Sequence, residues 1–98
     1  MGSSLKTASF LIESRLRDAA RGSTDAYYEL GMVYSSGSDG IGIDLIEAHK
    51  WFNLAAIGGH RRAQECRAEI ADEMSAREIV EAQKAARSWL GVMQRAAA

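Results

Sequence analysis

Two histidines and one cysteine are the side chains of this sequence best suited to bind a metal ion or to act as a nucleophile. His49 and His60 are eleven residues apart, and neither has a cysteine or carboxylate at the spacing of a metal-ligand cluster. This pattern predicts two solvent-facing or turn histidines. Cys66 falls on an apolar helical stripe with no histidine beside it, which predicts a buried, inert thiol. The sequence therefore predicts no catalytic centre, no metal site and no cofactor.

A glycine-rich segment at residues 37–42, G-S-D-G-I-G, is a weaker candidate for chemistry, because similar loops bind phosphate groups. No strand is predicted before it and it contains no lysine, so the pattern favours an ordinary turn. Arg61 and Arg62 form a short basic pair among many acidic residues, which indicates a solvated surface. The chain has 12 basic and 13 acidic residues and a formal net charge of -1. This balance predicts no nucleic-acid partner and no attraction to anionic membranes.

Two predicted helices flank this turn and form the centre of the chain. The first covers residues 26–35. Glycine within a helix costs roughly 1 kcal/mol relative to alanine, so Gly31 predicts that another backbone comes close to this helix. The apolar stripe that predicts the helix has a spacing of i, i+3, i+4 and i+7 and consists of Tyr27, Leu30, Gly31 and Tyr34.

The second central helix is predicted over residues 45–57. Asp44 is its expected N-cap, and Glu47 three residues later completes the spacing of a capping box, in which each side chain binds a free backbone N–H. Gly58-Gly59 provides a left-handed stop. The apolar face of this helix consists of Ala48, Trp51, Phe52 and Ala55.

Residues 26–63 resemble the Sel-one-like repeat (SLR), a relative of the tetratricopeptide repeat. The family pattern is A-x-Y-x-L-G-x-x-Y-x-x-G, a short turn with G-V, and D-x-x-K-A-x-x-W-x-x-x-A-A-x-x-G-x-x-x-A. Glu47 departs from the usual basic residue, and the turn around Gly40-Ile41 is one residue longer than in the family. The matching residues are Ala26, Tyr28, Leu30, Gly31, Tyr34 and Gly37, then Asp44, Ala48, Trp51, Ala55, Ala56, Gly59 and Ala63.

Three further helices are predicted at residues 5–21, 60–74 and 76–94. The last begins at Ser75-Ala76-Arg77-Glu78, an S-x-x-E capping box. Segment 80–84, V-E-A-Q-K, echoes I-E-A-H-K at an offset of 34 residues, and Ala63 lies 37 residues after Ala26. Such near-equal offsets are typical of a solenoid repeat.

The expected fold is all-α: a short right-handed α-solenoid of antiparallel helix hairpins, with about five helices in one domain over residues 1–98. The N-terminal capping helix is expected at 1–22 and a consensus-like repeat at 23–59. A degenerate second repeat with a C-terminal capping helix is expected at 60–98. The end helices would cover a stack too short to bury its own faces.

The cellular setting is predicted from the single cysteine and the N-terminus. Cys66 cannot form a disulfide within one chain, whereas some secreted relatives of the resembled family are rich in cysteine. The N-terminal apolar run covers only residues 8–12 before Glu13 and Arg15, which is too short for a signal peptide. No stretch has the length needed to cross a membrane. We therefore expect a cytoplasmic protein, and the resemblance suggests a bacterial one.

The resemblance also implies where a partner would bind, since the first helix of each repeat lines the concave face in tetratricopeptide-like proteins. The alternative for Tyr28 is simple packing between helices. The corresponding candidate residues are Asp25, Tyr28, Met32 and Ser35 in the first repeat, and Arg62, Glu65, Glu69 and Asp72 in the second.

The resemblance implies a non-enzymatic adaptor or scaffold that binds a protein or peptide on this face, and the surface of a solenoid suits such binding. Two alternatives stay open at this point. One is a structural protein that self-associates into a weak homo-oligomer through its end helices. The other, less favoured for want of a catalytic cluster, is an enzyme or accessory factor acting on cell-wall material, to which a few relatives have been linked.

Overall fold

A computed structural model describes residues 3–37 and 40–97, with side chains from residue 10 to residue 96 apart from the same gap. The first residues of the predicted helix 5–21, up to residue 9, and Asp39 of the turn therefore lie outside the described side chains. The described residues contain no β-strand, which confirms the all-α class. They form five helices: α1 (Ser3–Ala20), α2 (Thr24–Ser36), α3 (Leu45–Ile57), α4 (Arg61–Ala71) and α5 (Ala76–Ala97).

Helix α3 lies at the centre and packs against α2, α4 and α5. Its apolar residues occupy most of its circumference, so it buries side chains on several sides at once. Trp51 and Phe52 are each 1% exposed, and Leu30 of α2 is completely buried against them. The radius of gyration is 13.3 Å, the value expected for one compact domain of this length.

Helix α1 ends in a Schellman motif. In this motif, the N–H groups of a left-handed residue and of the residue after it donate to carbonyls of the last helical turn. The N–H of Gly22 donates to the carbonyl of Ala19 (2.9 Å), and the N–H of Ser23 donates to that of Asp18 (3.1 Å). Gly22 has a φ of 82°, which only glycine adopts at little cost.

Helix α3 ends with the same motif. The N–H of Gly59 donates to the carbonyl of Ala56, and the N–H of His60 donates to that of Ala55, both at 3.0 Å. Gly59 has a φ of 91°, whereas Gly58 has a φ of -78°. Gly59 alone is therefore the left-handed residue in the predicted glycine pair.

The residue that closes each of these motifs also caps the next helix. The Oγ of Ser23 accepts from the N–H of Ala26 (3.2 Å), and the Nδ1 of His60 accepts from the N–H of Ala63 (3.1 Å). These two connections are 37 residues apart in the sequence, and both alanines are buried. The predicted sequence period thus coincides with a repeated local structure.

The two predicted capping boxes differ. Ser75 and Glu78 form both bonds, with the N–H of Ser75 donating to Glu78 (2.8 Å) and the N–H of Glu78 donating to Ser75 (3.1 Å). Asp44 accepts from the N–H of Glu47 (3.1 Å), but its own N–H donates to the carbonyl of Tyr34 (2.9 Å). The predicted bond from the N–H of Asp44 to the side chain of Glu47 is therefore wrong, because this N–H closes the turn between α2 and α3 instead.

Helix α5 packs mainly on α3 among the described residues. Three aromatic rings connect α5 to the core. Tyr27 stacks on Trp51 with centroids 5.9 Å apart, and Trp89 of α5 makes an edge contact with Trp51 at a centroid distance of 4.9 Å. The Nε1 of Trp89 also donates to the hydroxyl of Tyr27 (3.2 Å). Five helices are confirmed, whereas the right-handed stack of antiparallel hairpins stays a prediction.

Candidate interaction surface

The candidate residues of α2 lie at i, i+3, i+7 and i+10 on one side of the helix. Asp25 is exposed, Met32 is 41% exposed, and Ser35 is half-buried with its hydroxyl donating to the carbonyl of Met32 (3.2 Å). Met32 is therefore the accessible apolar side chain of this stripe.

Tyr28, the remaining candidate of α2, lies between helices. Its ring stacks on His60, with centroids 4.3 Å apart and planes 16° apart, and it lies 5.9 Å from the ring of Phe52. Because Nδ1 of His60 is fixed by the α4 cap, this stack connects α2 to the start of α4. Tyr28 is half-buried against the core, as the alternative interpretation predicted. His60 is a turn residue, also as predicted.

The candidate residues of α4 are all exposed and repeat the same helical spacing. The Nη1 of Arg62 lies 2.8 Å from a carboxylate oxygen of Glu65 and 3.6 Å from one of Glu69. The hydrogen bond to Glu65 is the main cause of the raised pKa of Arg62. Asp72 is the C-cap of the helix.

Helices α2 and α4 contact each other, so the two stripes lie on neighbouring helices. We refer to the eight candidate residues together as the α2–α4 face. They include four carboxylates and one guanidinium, a net charge of -3. The face consists of Asp25, Tyr28, Met32, Ser35, Arg62, Glu65, Glu69 and Asp72.

Cys66 is buried beneath the α4 stripe. Burial is the main cause that raises the pKa of its thiol, and the charge of Arg62, followed by a hydrogen bond with Tyr28, only partly opposes that shift. The side chain therefore stays protonated at neutral pH and lacks the thiolate that a nucleophile needs. The predicted buried thiol is confirmed.

His49 contradicts the sequence prediction of a surface or turn residue. It lies within α3 and is only 3% exposed, and its Nδ1 has no hydrogen-bond partner among the described residues. Burial, followed by the charge of Arg67, lowers the pKa of His49. Arg67 itself donates to the side-chain oxygen of Asn53 (2.6 Å). The described part of the chain has no cluster of three or more His, Cys, Asp or Glu side chains that could hold a metal ion.

The sequence analysis did not predict a basic surface on α5. Two adjoining shallow depressions of about 510 and 540 Å³ share Ser88 and Val92. Three basic residues follow Glu81 without any intervening acid, which is a signal that the sequence does contain. We call this surface the α5 basic face; it is lined by Lys50, Lys84, Ala85, Arg87, Ser88, Trp89, Gly91, Val92 and Arg95.

Comparison with known proteins gives no match to a family model, to a curated protein or to a solved structure. The likeness to the SLR family therefore depends on the residue pattern alone. None of the described helices is long and apolar enough to serve as a membrane span.

Proposed function

We propose that this chain is a non-enzymatic protein-interaction module whose α2–α4 face binds a segment of another protein. The observation that carries this proposal is the contact between α2 and α4, which brings an exposed methionine and a row of exposed carboxylates onto neighbouring helices. A partner segment that combines basic and apolar side chains fits this chemistry. The resemblance to SLR proteins, many of which assemble other proteins, agrees with it.

Met32 and the carboxylates have different expected roles. A methionine side chain is flexible and polarisable, so Met32 can adapt to an apolar group of the partner and contribute to affinity. The exposed carboxylates of Glu65, Glu69 and Asp72 mainly accelerate encounter with a basic partner and make it sensitive to salt. Tyr28 supports the face from beneath, because its ring is stacked on His60.

Affinity capture from a native lysate, followed by mass spectrometry, tests the proposal. Met32→Ala should reduce capture of the partner at least fivefold, and Glu69→Lys should reduce it in a salt-dependent way. Val80→Ala and Glu81→Lys on α5 are matched controls, since both residues are exposed and outside the face. If the controls abolish capture while the face variants bind normally, the α2–α4 face is not the binding site.

Self-association is the second candidate, and two exposed apolar side chains on α1 favour it. Phe10 is 69% exposed and Leu11 is 39% exposed, so a copy of the chain could cover them. A concentration-dependent increase of mass in solution, removed by Phe10→Ser, would support this candidate. A constant monomer mass over the same concentrations would exclude it.

A further inference from the structure

The α5 basic face has the opposite charge to the α2–α4 face. Four cationic side chains line its two depressions, and no carboxylate lines either of them. Lys84, Arg87 and Arg95 form no ion pair among the described residues, and Lys50 has only a long contact of 3.7 Å with Glu47. Three of the cations on one helix are therefore available to an anionic partner.

Packing among the described residues does not explain why α5 has a glycine at position 91. A Cβ atom there would meet only the Nη1 of Arg95, at an ordinary 3.7 Å. At Gly31, by contrast, a Cβ would lie 2.5 Å from the ring of Phe52. A glycine within a helix costs about 1 kcal/mol relative to alanine, and a close approach of another group can explain why that cost is tolerated. At Gly91 the space is left open on the outer surface, between the basic side chains.

The floor of the face is apolar and firmly held. Trp89 is fixed by its hydrogen bond to Tyr27 and its edge contact with Trp51, and Lys50 lies 5.5 Å from its ring centroid. Val92, beside Gly91, is 47% exposed. The face thus offers charge for carboxylates and an apolar floor for at least one hydrophobic side chain.

We propose that the α5 basic face is a second binding site, which takes an acidic peptide segment of another protein. Carboxylates of the segment pair with Arg87, Arg95 and Lys84. An apolar side chain of the segment packs on Val92, and the segment crosses the helix at Gly91. Lys84 and Arg95 are separated by about 16 Å along the helix, the length of roughly five extended residues.

An acidic peptide fits this face better than a nucleic acid does. Nucleic-acid affinity depends on many phosphate contacts, and this chain carries a net charge of -1 with an acidic face of its own. Three unpaired cations around an apolar floor match a short segment of mixed acidic and apolar side chains instead.

Fluorescence anisotropy with a labelled synthetic peptide tests the proposal. The probe is a glutamate-rich peptide with a central Leu-Leu pair, and its reference has every glutamate replaced by lysine. The acidic probe should bind and the basic one should not. Arg87→Glu should weaken binding of the acidic probe at least tenfold, whereas Arg77→Glu at the other end of α5 makes the same change of charge and should leave it within twofold.

Gly91→Gln separates binding from folding, because glutamine favours a helix more than glycine does. This variant should melt at a higher temperature and still lose binding of the acidic probe at least fivefold. Glu69→Lys should leave probe binding within twofold, so the two proposed sites can fail independently.

Three results would overturn the proposal: equal losses for Arg87→Glu and Arg77→Glu, unchanged binding by Gly91→Gln, or no binding of the acidic probe. A single-stranded oligonucleotide that binds where the acidic peptide fails would assign the face to nucleic acid instead.

Discussion

Gly31→Ala is the substitution whose effect follows most directly from the packing of this chain. A Cβ atom added at Gly31 would lie 2.5 Å from two carbon atoms of the Phe52 ring and 2.9 Å from a third. Phe52 is 1% exposed and packed within the core cluster, so its ring can move only by displacing neighbouring core side chains. The neighbour is a side chain of α3 and not a backbone, which corrects the sequence prediction.

Two opposing terms set the size of the effect. Alanine is favoured over glycine within a helix by about 1 kcal/mol, and overpacking of a well-packed core costs about 1–3 kcal/mol. A contact this short with a rigid ring belongs at the upper end of that range, so Gly31→Ala should lower the free energy of unfolding by about 2 kcal/mol. Gly91→Ala should raise the free energy of unfolding by about 1 kcal/mol, because alanine favours the helix and its new Cβ meets no obstacle.

Thermal and urea unfolding followed by circular dichroism measure this difference. A gap of about 3 kcal/mol between the two variants corresponds to more than roughly 10 °C in melting temperature for a domain of this size. Phe52→Leu should make Gly31→Ala less harmful than in the wild type, since a smaller side chain leaves room. Equal stabilities of Gly31→Ala and Gly91→Ala would refute the close approach of Phe52.

Three other substitutions test the core and its buried polar groups. Trp51→Ala should cost about 3–5 kcal/mol and leave little folded protein in a melting experiment, because the indole is 1% exposed and contacts Tyr27 and Trp89. Trp89→Phe should cost about 1 kcal/mol in urea unfolding, since its hydrogen bond to Tyr27 is lost. Burial lowers the pKa of folded His49 below 6.5, so both states are neutral above that pH and the unfolded state binds the extra proton as the pH falls. Stability of the wild type should therefore decrease below about pH 6.5, by at most about 1.4 kcal/mol per pH unit, and His49→Gln should flatten this part of the curve.

The helices were predictable because local signals define them. Glycines at 22 and 59, and the caps at Ser23, Asp44 and Ser75, mark helix ends through bonds between near neighbours in the sequence. These signals need no knowledge of tertiary packing, and the structure places the helix boundaries within a few residues of the predictions. Helix α4 ends at Ala71, three residues before its predicted end, and its start is capped by His60, an uncommon residue in that role.

Long-range packing explains what the sequence did not reveal. His49 has polar chemistry, and only the packing of other helices around α3 buries it. Trp89 lies seven residues after Ala82, on the same side of α5, but its bond to Tyr27 spans 62 residues, and spacing within one helix does not predict it. Each interaction face depends on which helices lie side by side. Spacing within one helix predicts its own stripe of residues, but it does not predict which other helix lies next to that stripe.

Photo-crosslinking tests the central claim, that the α2–α4 face binds the partner, more directly than any other measurement. A photoreactive phenylalanine analogue replaces Met32 in one variant and Val80 in the other; the two side chains are 41% and 47% exposed. Both variants are mixed with the captured partner and irradiated, and crosslinked peptides are identified by mass spectrometry. The proposal predicts crosslinks from position 32 to a basic and apolar segment of the partner, with few from position 80. Crosslinks from position 80 without any from position 32 would contradict it.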